Sequence, residues 1–170
     1  LLVEALAEPA LRPATAVFIG DGDSEPLLTE ARARGVADRI AILGYRPHAG
    51  RYLACGRVLV LPSRNEGLPL SILEAFRAGV AVVASRIPEL AEALEPADAG
   101  YLFAPESVTA LASALRAAFD EDDPRRAASR AAHFASRYTS HQMMAAYERL
   151  YQQSRDLCVP STVARRRRDP

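Results

Sequence analysis

Two glutamates, Glu66 and Glu74, stand eight positions apart in the stretch PSRNEGLPLSILEAFRAGVAVVAS, which covers residues 62–85. The first follows a run of apolar residues typical of a buried strand. The second lies in a helical pattern, on a face that otherwise reads Leu, Ile, Phe and Ala. Carboxylates accept hydrogen bonds from hydroxyl groups such as those of sugars. A carboxylate in either position therefore needs solvent or a ligand as its partner.

The loop between the two glutamates leads into the start of a helix. Gly67 lets the backbone approach a ligand closely, and Pro69 fixes the entry into the helix although it has no amide of its own. A helix N-terminus favours an anion, here through the amides of Gly67, Leu68, Leu70 and Ser71. We therefore expect a phosphate at this point, with the glutamates holding hydroxyl-bearing groups on either side. A nucleotide sugar has that layout of ribose, diphosphate and hexose.

Short apolar runs alternate with helical patterns along the chain. Five of these runs predict strands, at 16–20, 40–43, 58–61, 81–84 and 101–103. The helical patterns between and after them carry predicted caps at Ser24, Ser107 and Thr139. Strands that are apolar without alternation are typical of a parallel sheet covered on both faces. The sequence thus predicts a doubly wound, Rossmann-like α/β domain.

The carboxyl ends of the strands are the edge at which such sheets bind ligands. The loops at that edge are 20–24, 44–48, 62–69 and 85–88. Gly20-Asp21-Gly22 could be interpreted as a dinucleotide fingerprint, but residue 25 is Glu where a third glycine belongs. A plain turn after the strand is the preferred interpretation.

Composition and charge exclude several classes of function. The chain has 170 residues, enough for one domain with a core, and its 21 basic and 21 acidic residues give a formal net charge of +0. Nothing in this balance attracts nucleic acid. Cys55 and Cys158 form no CxxC pair, and no metal-ligand spacing occurs. There is no signal peptide and no apolar run of the ~20 residues that span a bilayer, so a cytoplasmic location is expected.

Residues 1–155 are expected to form the domain, and residues 156–170 a disordered tail. The tail contains the basic run Arg165–Arg168, which is either solvated or weakly attracted to an anionic membrane, giving peripheral association. The three histidines, His48, His133 and His141, are scattered, so surface or capping positions are expected for them. Tyr147 and Tyr151, one helical turn apart, predict helix packing rather than a binding site.

The stretch EGLPLSILEAFRAGVAVVAS resembles the Glu-x7-Glu signature of the retaining GT-B glycosyltransferases of group 1 (family 4). The resemblance extends to VFIGDGDSEPLL, to RIAILGYRPHAGRYLACGRVLVLPSRNEG, and to SRIPELAEAL and AGYLFAPES. It covers roughly residues 1 to 153, in the order the family has them. A match over several segments is far more specific than a lone pair of glutamates, so the resemblance implies the C-terminal, donor-binding half of a GT-B architecture.

The resemblance implies a role for each glutamate. Glu66 corresponds to the residue that contacts hydroxyl groups of the donor sugar, and it is the residue assigned to catalysis. Glu74 corresponds to the residue that binds the ribose. The diphosphate would be approached by the backbone of Gly67, Leu68, Pro69 and Leu70.

The resemblance also implies roles for the ends of the first two strands. Gly20 and Gly22 would form the turn at the floor of the cleft between the two halves of the enzyme. The nucleobase would be bordered by the backbone of Gly44, Tyr45 and Arg46. The implied reaction transfers a sugar from a nucleotide-diphosphate donor with retention at the anomeric carbon, without a metal or any cofactor beyond the donor itself.

The chain departs from the family at its start. The segment with the Arg and Lys that neutralise the diphosphate is missing, together with the first strand of the domain and the N-terminal acceptor-binding domain. The resemblance therefore implies a partner domain outside this chain and an inactive fragment in isolation. Arg46 or Arg64 could replace part of the lost positive charge, although no pattern places them at the diphosphate.

Two other interpretations remain at this stage. The chain could be a catalytically inactive nucleotide-sugar binding or assembly module of the same fold. It could also be a GT-B epimerase acting on nucleotide sugars, although the Glu-x7-Glu arrangement argues against this. The donor sugar, the nucleobase, the acceptor and the oligomeric state are not indicated by the sequence.

Overall fold

The computed structural model describes residues 1–95, 98–120 and 124–157. Its strands are β1 Ala16–Ile19, β2 Ile40–Gly44, β3 Val58–Leu61, β4 Ala81–Ser85 and β5 Tyr101–Phe103. Its helices are α1 Leu2–Leu6, α2 Glu25–Ala33, α3 Leu70–Ala78, α4 Pro88–Leu94, α5 Val108–Phe119, α6 Pro124–Arg137 and α7 Ser140–Leu157. Three 3-10 segments lie at Pro9–Leu11, Ala37–Arg39 and Ala49–Cys55. All five predicted strands are present within a residue of their predicted bounds.

Every strand pair is parallel, which confirms the predicted α/β class. β1 pairs with β2, and β3, β4 and β5 pair in that order. Among the described residues the strands form these two groups instead of one continuous sheet, because β1 and β3 do not pair with each other.

Burial differs between the strands. All five residues of β4 are buried, as expected for a central parallel strand covered on both faces. β1, β2 and β3 are equally apolar in sequence but only half-buried, and Val17 of β1 is 57% exposed. The expectation that every strand is covered on both faces is therefore correct for β4 only, whose Ala81 and Val83 pack into the core cluster of α5.

The helix α1 lies between the two groups of strands. Its Ala5 belongs to the core cluster that contains Leu111 of α5 and contacts Val60 of β3. Its Val3 belongs to a second cluster, with Ala31 of α2. Because α1 packs towards both groups, it joins them where no strand does.

Several helix termini follow the predicted chemistry. The hydroxyl of Ser107 accepts from the amide of Ala110 at 3.2 Å, as a predicted cap should. At the start of α2 the prediction is wrong in one detail. Ser24 occupies the cap position without a side-chain cap bond, and Asp23 Oδ1 instead accepts from the amide of Glu25 at 3.0 Å. This Asx turn gives an acceptor to an amide at the start of α2, as the predicted Ser24 cap would have done.

The chain divides into two compact units, residues 1–134 and residues 135 onward. In the second unit, the hydroxyl of Thr139 accepts from the amide of Gln142 at 3.2 Å and so caps α7 as predicted. α7 continues to Leu157, so it includes residues 156 and 157, where the predicted tail begins. Residues 158–170, with Cys158 and Arg165–Arg168, lie outside the described residues.

The tyrosines of α7 differ from their expectation. Tyr147 and Tyr151 stack on each other with ring centroids 6.5 Å apart, yet both are exposed. Met143, Met144 and Leu150 are exposed beside them. Within the residues that the structure describes, no helix is long and apolar enough to cross a membrane.

Two arginines hold the N-terminal turn in place. Arg39 donates to the carbonyl oxygens of Leu11 at 2.9 Å and Arg12 at 3.2 Å, and its other terminal nitrogen bonds the carbonyl of Leu6. These are carbonyl groups at the end of α1 and in the turn that follows, which need partners when half-buried. Arg34 of α2 bonds Glu30 and, at 2.6 Å, Glu4 of α1.

The surroundings of Arg34 also act on its acidity. The hydrogen bond with Glu30 raises the pKa of Arg34 above its usual value. The negative charges of Glu30 and Glu4 act in the same direction, and burial acts against them. The guanidinium therefore stays charged beside the two carboxylates.

We expect the substitution Arg39→Lys to lower the free energy of unfolding by about 1–3 kcal/mol, because a single ammonium cannot replace a fork that bonds several carbonyls. Urea denaturation measures this change. Arg12→Ala is the matched control, since the exposed Arg12 side chain lies in the same turn. Equal stability of the two variants would contradict the role given to Arg39.

Candidate functional site

The strand–loop–helix unit around the two glutamates is built as predicted. β3 ends at Leu61, and α3 begins at Leu70 with Pro69 as its N-cap at φ −65° and ψ 129°. The fixed φ of proline suits this entry. α3 ends at Gly79, whose φ of +69° is in the left-handed region that favours glycine. One face of α3, with Ile72, Ala75 and Phe76, is buried in the core.

The N-terminus of α3 points away from that core. The side chain of Leu70 is 74% exposed, and Leu68 is also exposed. The amide of Ile72 bonds the carbonyl of Pro69 at 3.0 Å, which closes the first turn. The amides before Ile72 therefore occupy the position from which helices bind anions.

Glu66 lies in the loop before this helix and is half-buried. The hydroxyl of Ser63 donates to Glu66 Oε1 at 2.7 Å. A hydrogen bond from a neutral hydroxyl to a carboxylate restricts the orientation of the carboxylate while its remaining lone pairs stay available. Ser63 thus orients the carboxylate of Glu66, which by the family resemblance is expected to contact the donor sugar.

Glu74 lies on a different face of α3 from the one expected. The buried face carries Ile72, Ala75 and Phe76, whereas Glu74 is exposed. The expectation that Glu74 shares the apolar face is wrong, because a four-residue spacing from Leu70, itself exposed, places it on the exposed side. Its carboxylate lies against the backbone of Gly50, in the 3-10 segment that follows β2.

The ends of β1 and β2 are joined at the same edge of the structure. The amide of Gly20 donates to the carbonyl of Gly44 at 3.1 Å, and the register between the two strands shifts just before this point. Gly44 has a φ of +66°, a left-handed conformation at the strand end. Tyr45 follows with its side chain 64% exposed, and Arg46 donates to the carbonyl of Tyr45.

Two clefts open near these loops. The first, of about 290 Å³, lies at the carboxyl ends of β3, β4 and β5 and is lined by Leu1, Glu4, Pro62, Ser63, Arg64, Ser85, Pro105 and Glu106. The second, of about 200 Å³, lies between β1 and α2 and includes Gly20 and Gly22 in its lining. Glu66 and Glu74 are not part of either lining. Ser63, which contacts Glu66, is part of the first.

Arg64 stands at the first cleft and is paired with Glu106. Its Nε lies 2.7 Å from Glu106 Oε1, and the two side chains are 83% and 64% exposed. Glu106 has a φ of +62° in the loop after β5. Arg64 is therefore at the carboxyl ends of the strands with an acidic partner, and its role at a diphosphate stays a prediction.

Three residues near the site were not singled out from the sequence. Ser63 carries a weak sequence signal, a hydroxyl three positions before a glutamate after a strand. Gly50 and Glu106 carry none, because their contacts join segments that are far apart in the chain. His133, expected at the surface, is half-buried with its ring edge-to-face on Phe76 at 5.9 Å. His133 thus packs against the buried face of α3.

In the part of the chain that the structure describes, no group of three or more His, Cys, Asp or Glu side chains is arranged to hold a metal ion. The expectation of a reaction that needs no metal remains a prediction.

The fold and the site define a class: a parallel α/β domain with an exposed helix N-terminus that follows the carboxyl end of β3. The family model described as glycosyl transferases group 1 matches residues 1–121. Glycogen synthase of Mycobacterium tuberculosis is 36% identical over 141 residues, which are 79% of this chain and 34% of that protein. The chain therefore belongs to the group 1 glycosyltransferases, and it spans about a third of the length of the curated relatives it matches.

Solved structures agree on the fold. Anabaena HepE in complex with UDP superimposes with a TM-score of 0.76 at 24% identity, over 89% of this chain and 44% of HepE. The C-terminal domain of the group 1 protein LpcC from Francisella tularensis superimposes with a TM-score of 0.69 at 22% identity, over 82% of this chain and 78% of that one. The GT-B fold implied by the resemblance is confirmed, and the chain aligns with part of these proteins.

We expect Ser63→Ala to lower the free energy of unfolding by about 1 kcal/mol, because the Glu66 carboxylate loses its hydroxyl donor. The loss should largely vanish when Glu66 is already Ala, which has no acceptor for the Ser63 hydroxyl, so a double-mutant cycle in urea isolates the pair. Ser113→Ala, on an exposed position of α5, is the control and should not destabilise. A cycle with no coupling between positions 63 and 66 would contradict the contact.

Proposed function

We propose that this chain is the donor-binding half of a glycosyltransferase that transfers a sugar, with retention of anomeric configuration, from a nucleotide-diphosphate donor. The observation that carries the proposal is the placement of Glu66 and Glu74 on either side of the exposed N-terminus of α3. One site thus offers amide donors for an anion and carboxylate acceptors for hydroxyls. No acceptor is assigned.

The proposed division of labour follows from hydrogen-bonding chemistry. The diphosphate binds at the start of α3, to the backbone around Gly67, Leu68, Pro69 and Leu70, where the helix dipole stabilises the charge that develops on the leaving group. Glu66 orients the donor sugar through its hydroxyls and is the residue we assign to catalysis, by positioning. Glu74 accepts hydrogen bonds from the ribose. No metal and no separate cofactor takes part in this scheme.

The nucleobase is proposed to lie at the end of β2, beside Gly44, Tyr45 and Arg46. Tyr45 supports this because its exposed ring offers a stacking surface. HepE has been solved with UDP and with UDP-glucose. We therefore propose UDP as the first nucleotide to test on this chain.

We further propose that a strand preceding Leu1 in the same polypeptide lies between β1 and β3. Three observations support it: β1 and β3 are half-buried, they do not pair with each other among the described residues, and α1 packs towards both groups. Leu1 stands at the carboxyl ends of β3 and β4. A strand entering α1 from there would run parallel to both neighbours, with α1 as its crossover to β1.

The remaining parts of the proposal concern the whole enzyme. An acceptor-binding domain preceding this chain would complete the active site, so the 170 residues alone are expected to bind donor but not to turn over. A cytoplasmic location, with peripheral membrane association through Arg165–Arg168, stays a prediction. The alternative is a catalytically inactive binding module. Turnover by the complete polypeptide would exclude it.

Glutamine substitutions test the two glutamates separately, with calorimetric titration of UDP and UDP-glucose. Glu74→Gln should weaken both ligands by about tenfold to a hundredfold, because a charged hydrogen bond to the ribose is lost. Glu66→Gln should weaken UDP-glucose but leave UDP unchanged, since only the sugar contacts Glu66. The exposed Glu92 of α4 supplies the control, Glu92→Gln.

The proposal is contradicted if neither glutamate variant changes the affinity for either ligand. It is also contradicted if the wild-type chain binds none of UDP, GDP and ADP. Binding of GDP or ADP in place of UDP would change the proposed nucleobase and leave the site in place, and the two substitutions would then be measured with that nucleotide and its glucose ester.

The proposed strand is tested by hydrogen exchange on the chain extended by its natural upstream sequence. Backbone amides of β1 and β3 that exchange quickly in the 170-residue chain should become protected, because a new ladder pairs them. The control is the same extension with prolines at alternate positions, which cannot donate to a ladder. Equal exchange with and without the natural extension would rule the strand out.

A further inference from the structure

Gly50 occupies a position where any side chain would collide with the Glu74 carboxylate. A Cβ built on Gly50 would lie 2.5 Å from both Cδ and Oε1 of Glu74, and 2.8 Å from Oε2. Real non-bonded contacts of a Cβ are not that short. Gly50 is half-buried in the 3-10 segment Ala49–Cys55, which packs against α3.

The requirement for glycine here is one of space. The five glycines with positive φ are Gly20, Gly22, Gly35, Gly44 and Gly79. Gly50 is not among them, so its backbone conformation is open to other residues. A side chain at residue 50 would displace the carboxylate end of the flexible Glu74 side chain and no backbone atom. This displacement changes the free energy of unfolding little, but it moves the carboxylate.

The contact decides where the Glu74 carboxylate can be. Glu74 is exposed, and a glutamate on a helix surface has several rotamers of similar energy. Without a Cβ at residue 50, the carboxylate reaches the backbone of the segment that follows β2. That segment begins four residues after Tyr45, at the end of the strand where the nucleobase is proposed to lie.

We propose that Gly50 is a positioning residue for donor binding: the lack of a side chain at residue 50 seats the Glu74 carboxylate against the segment that follows β2. This inference rests on the proposed function of Glu74. It adds that the segment 49–55, which is outside the Glu-x7-Glu stretch, takes part in donor affinity through this one close approach.

The substitution Gly50→Ala tests the inference without removing a functional group. UDP titration should show a dissociation constant about tenfold larger than that of the wild type, because the displaced carboxylate loses its hydrogen bonds to the ribose. The midpoint of urea unfolding should be unchanged. Gly56→Ala is the matched control, since an added Cβ there would meet only the Leu53 carbonyl at 3.6 Å and the φ of −97° is open to alanine.

A double substitution separates this effect from a general disturbance of the site. In the background of Glu74→Ala, Gly50→Ala should cause no further loss of UDP affinity, because there is no carboxylate left to displace. A merely structural role of Gly50 would instead add its loss to that of Glu74→Ala.

The outcomes separate the inference from the function on which it rests. Wild-type UDP affinity in Gly50→Ala, together with weak binding by Glu74→Gln, overturns the inference and leaves the proposed function intact. Wild-type affinity in both variants overturns both. If the wild-type chain binds none of UDP, GDP and ADP, the proposed function is overturned and the inference falls with it.

Discussion

The proposed site depends on one constraint: the exposed amides at the start of α3 have two glutamates near them in the chain, Glu66 before the helix and Glu74 in its second turn. The amides of a helix N-terminus favour negative charge, while a carboxylate nearby repels it. A bound anion and the two carboxylates can coexist only if the helix axis has a fixed direction and each carboxylate is held away from the anion. The direction is fixed by the buried face of α3 and by its far end, where Arg130 donates to the carbonyl of Gly79 at 3.0 Å. The sides are fixed by Ser63 for Glu66 and by the approach of Gly50 for Glu74.

The fold follows from the sequence wherever local pattern and tertiary context agree. The apolar runs became strands, and Gly35, Gly79 and Pro69 mark helix boundaries as their backbone preferences require. The pattern could not predict burial. Val17 and Val83 are equally apolar, yet Val17 is exposed and Val83 is fully buried, because Val83 packs into the core cluster of α5 and Val17 does not. Such packing joins residues far apart in the chain, so the amino-acid type of a residue does not predict it.

The site was predicted in its backbone and less well in its side chains. The order of strand, loop and helix around residues 62–69 can be inferred from glycine, proline and apolar runs, since each acts on its own neighbours. The face of Glu74 was assigned wrongly because periodicity gives the spacing of residues on a helix but not which face the core will cover. Contacts such as that of Gly50 with Glu74 join residues 24 positions apart, so no local rule could have found them.

The ion pair of Arg64 and Glu106 has a consequence for charge at the cleft. Both side chains are mostly in water, so the pair contributes at most about 1 kcal/mol and is weakened further by salt. Exchange of Glu106 for another anion is therefore nearly neutral in free energy. The guanidinium can rotate on its four-bond stem towards an incoming negative group while the backbone around it stays where it is. Positive charge at this edge of the domain is thus adjustable in position, in contrast to the fixed dipole of the helix beside it.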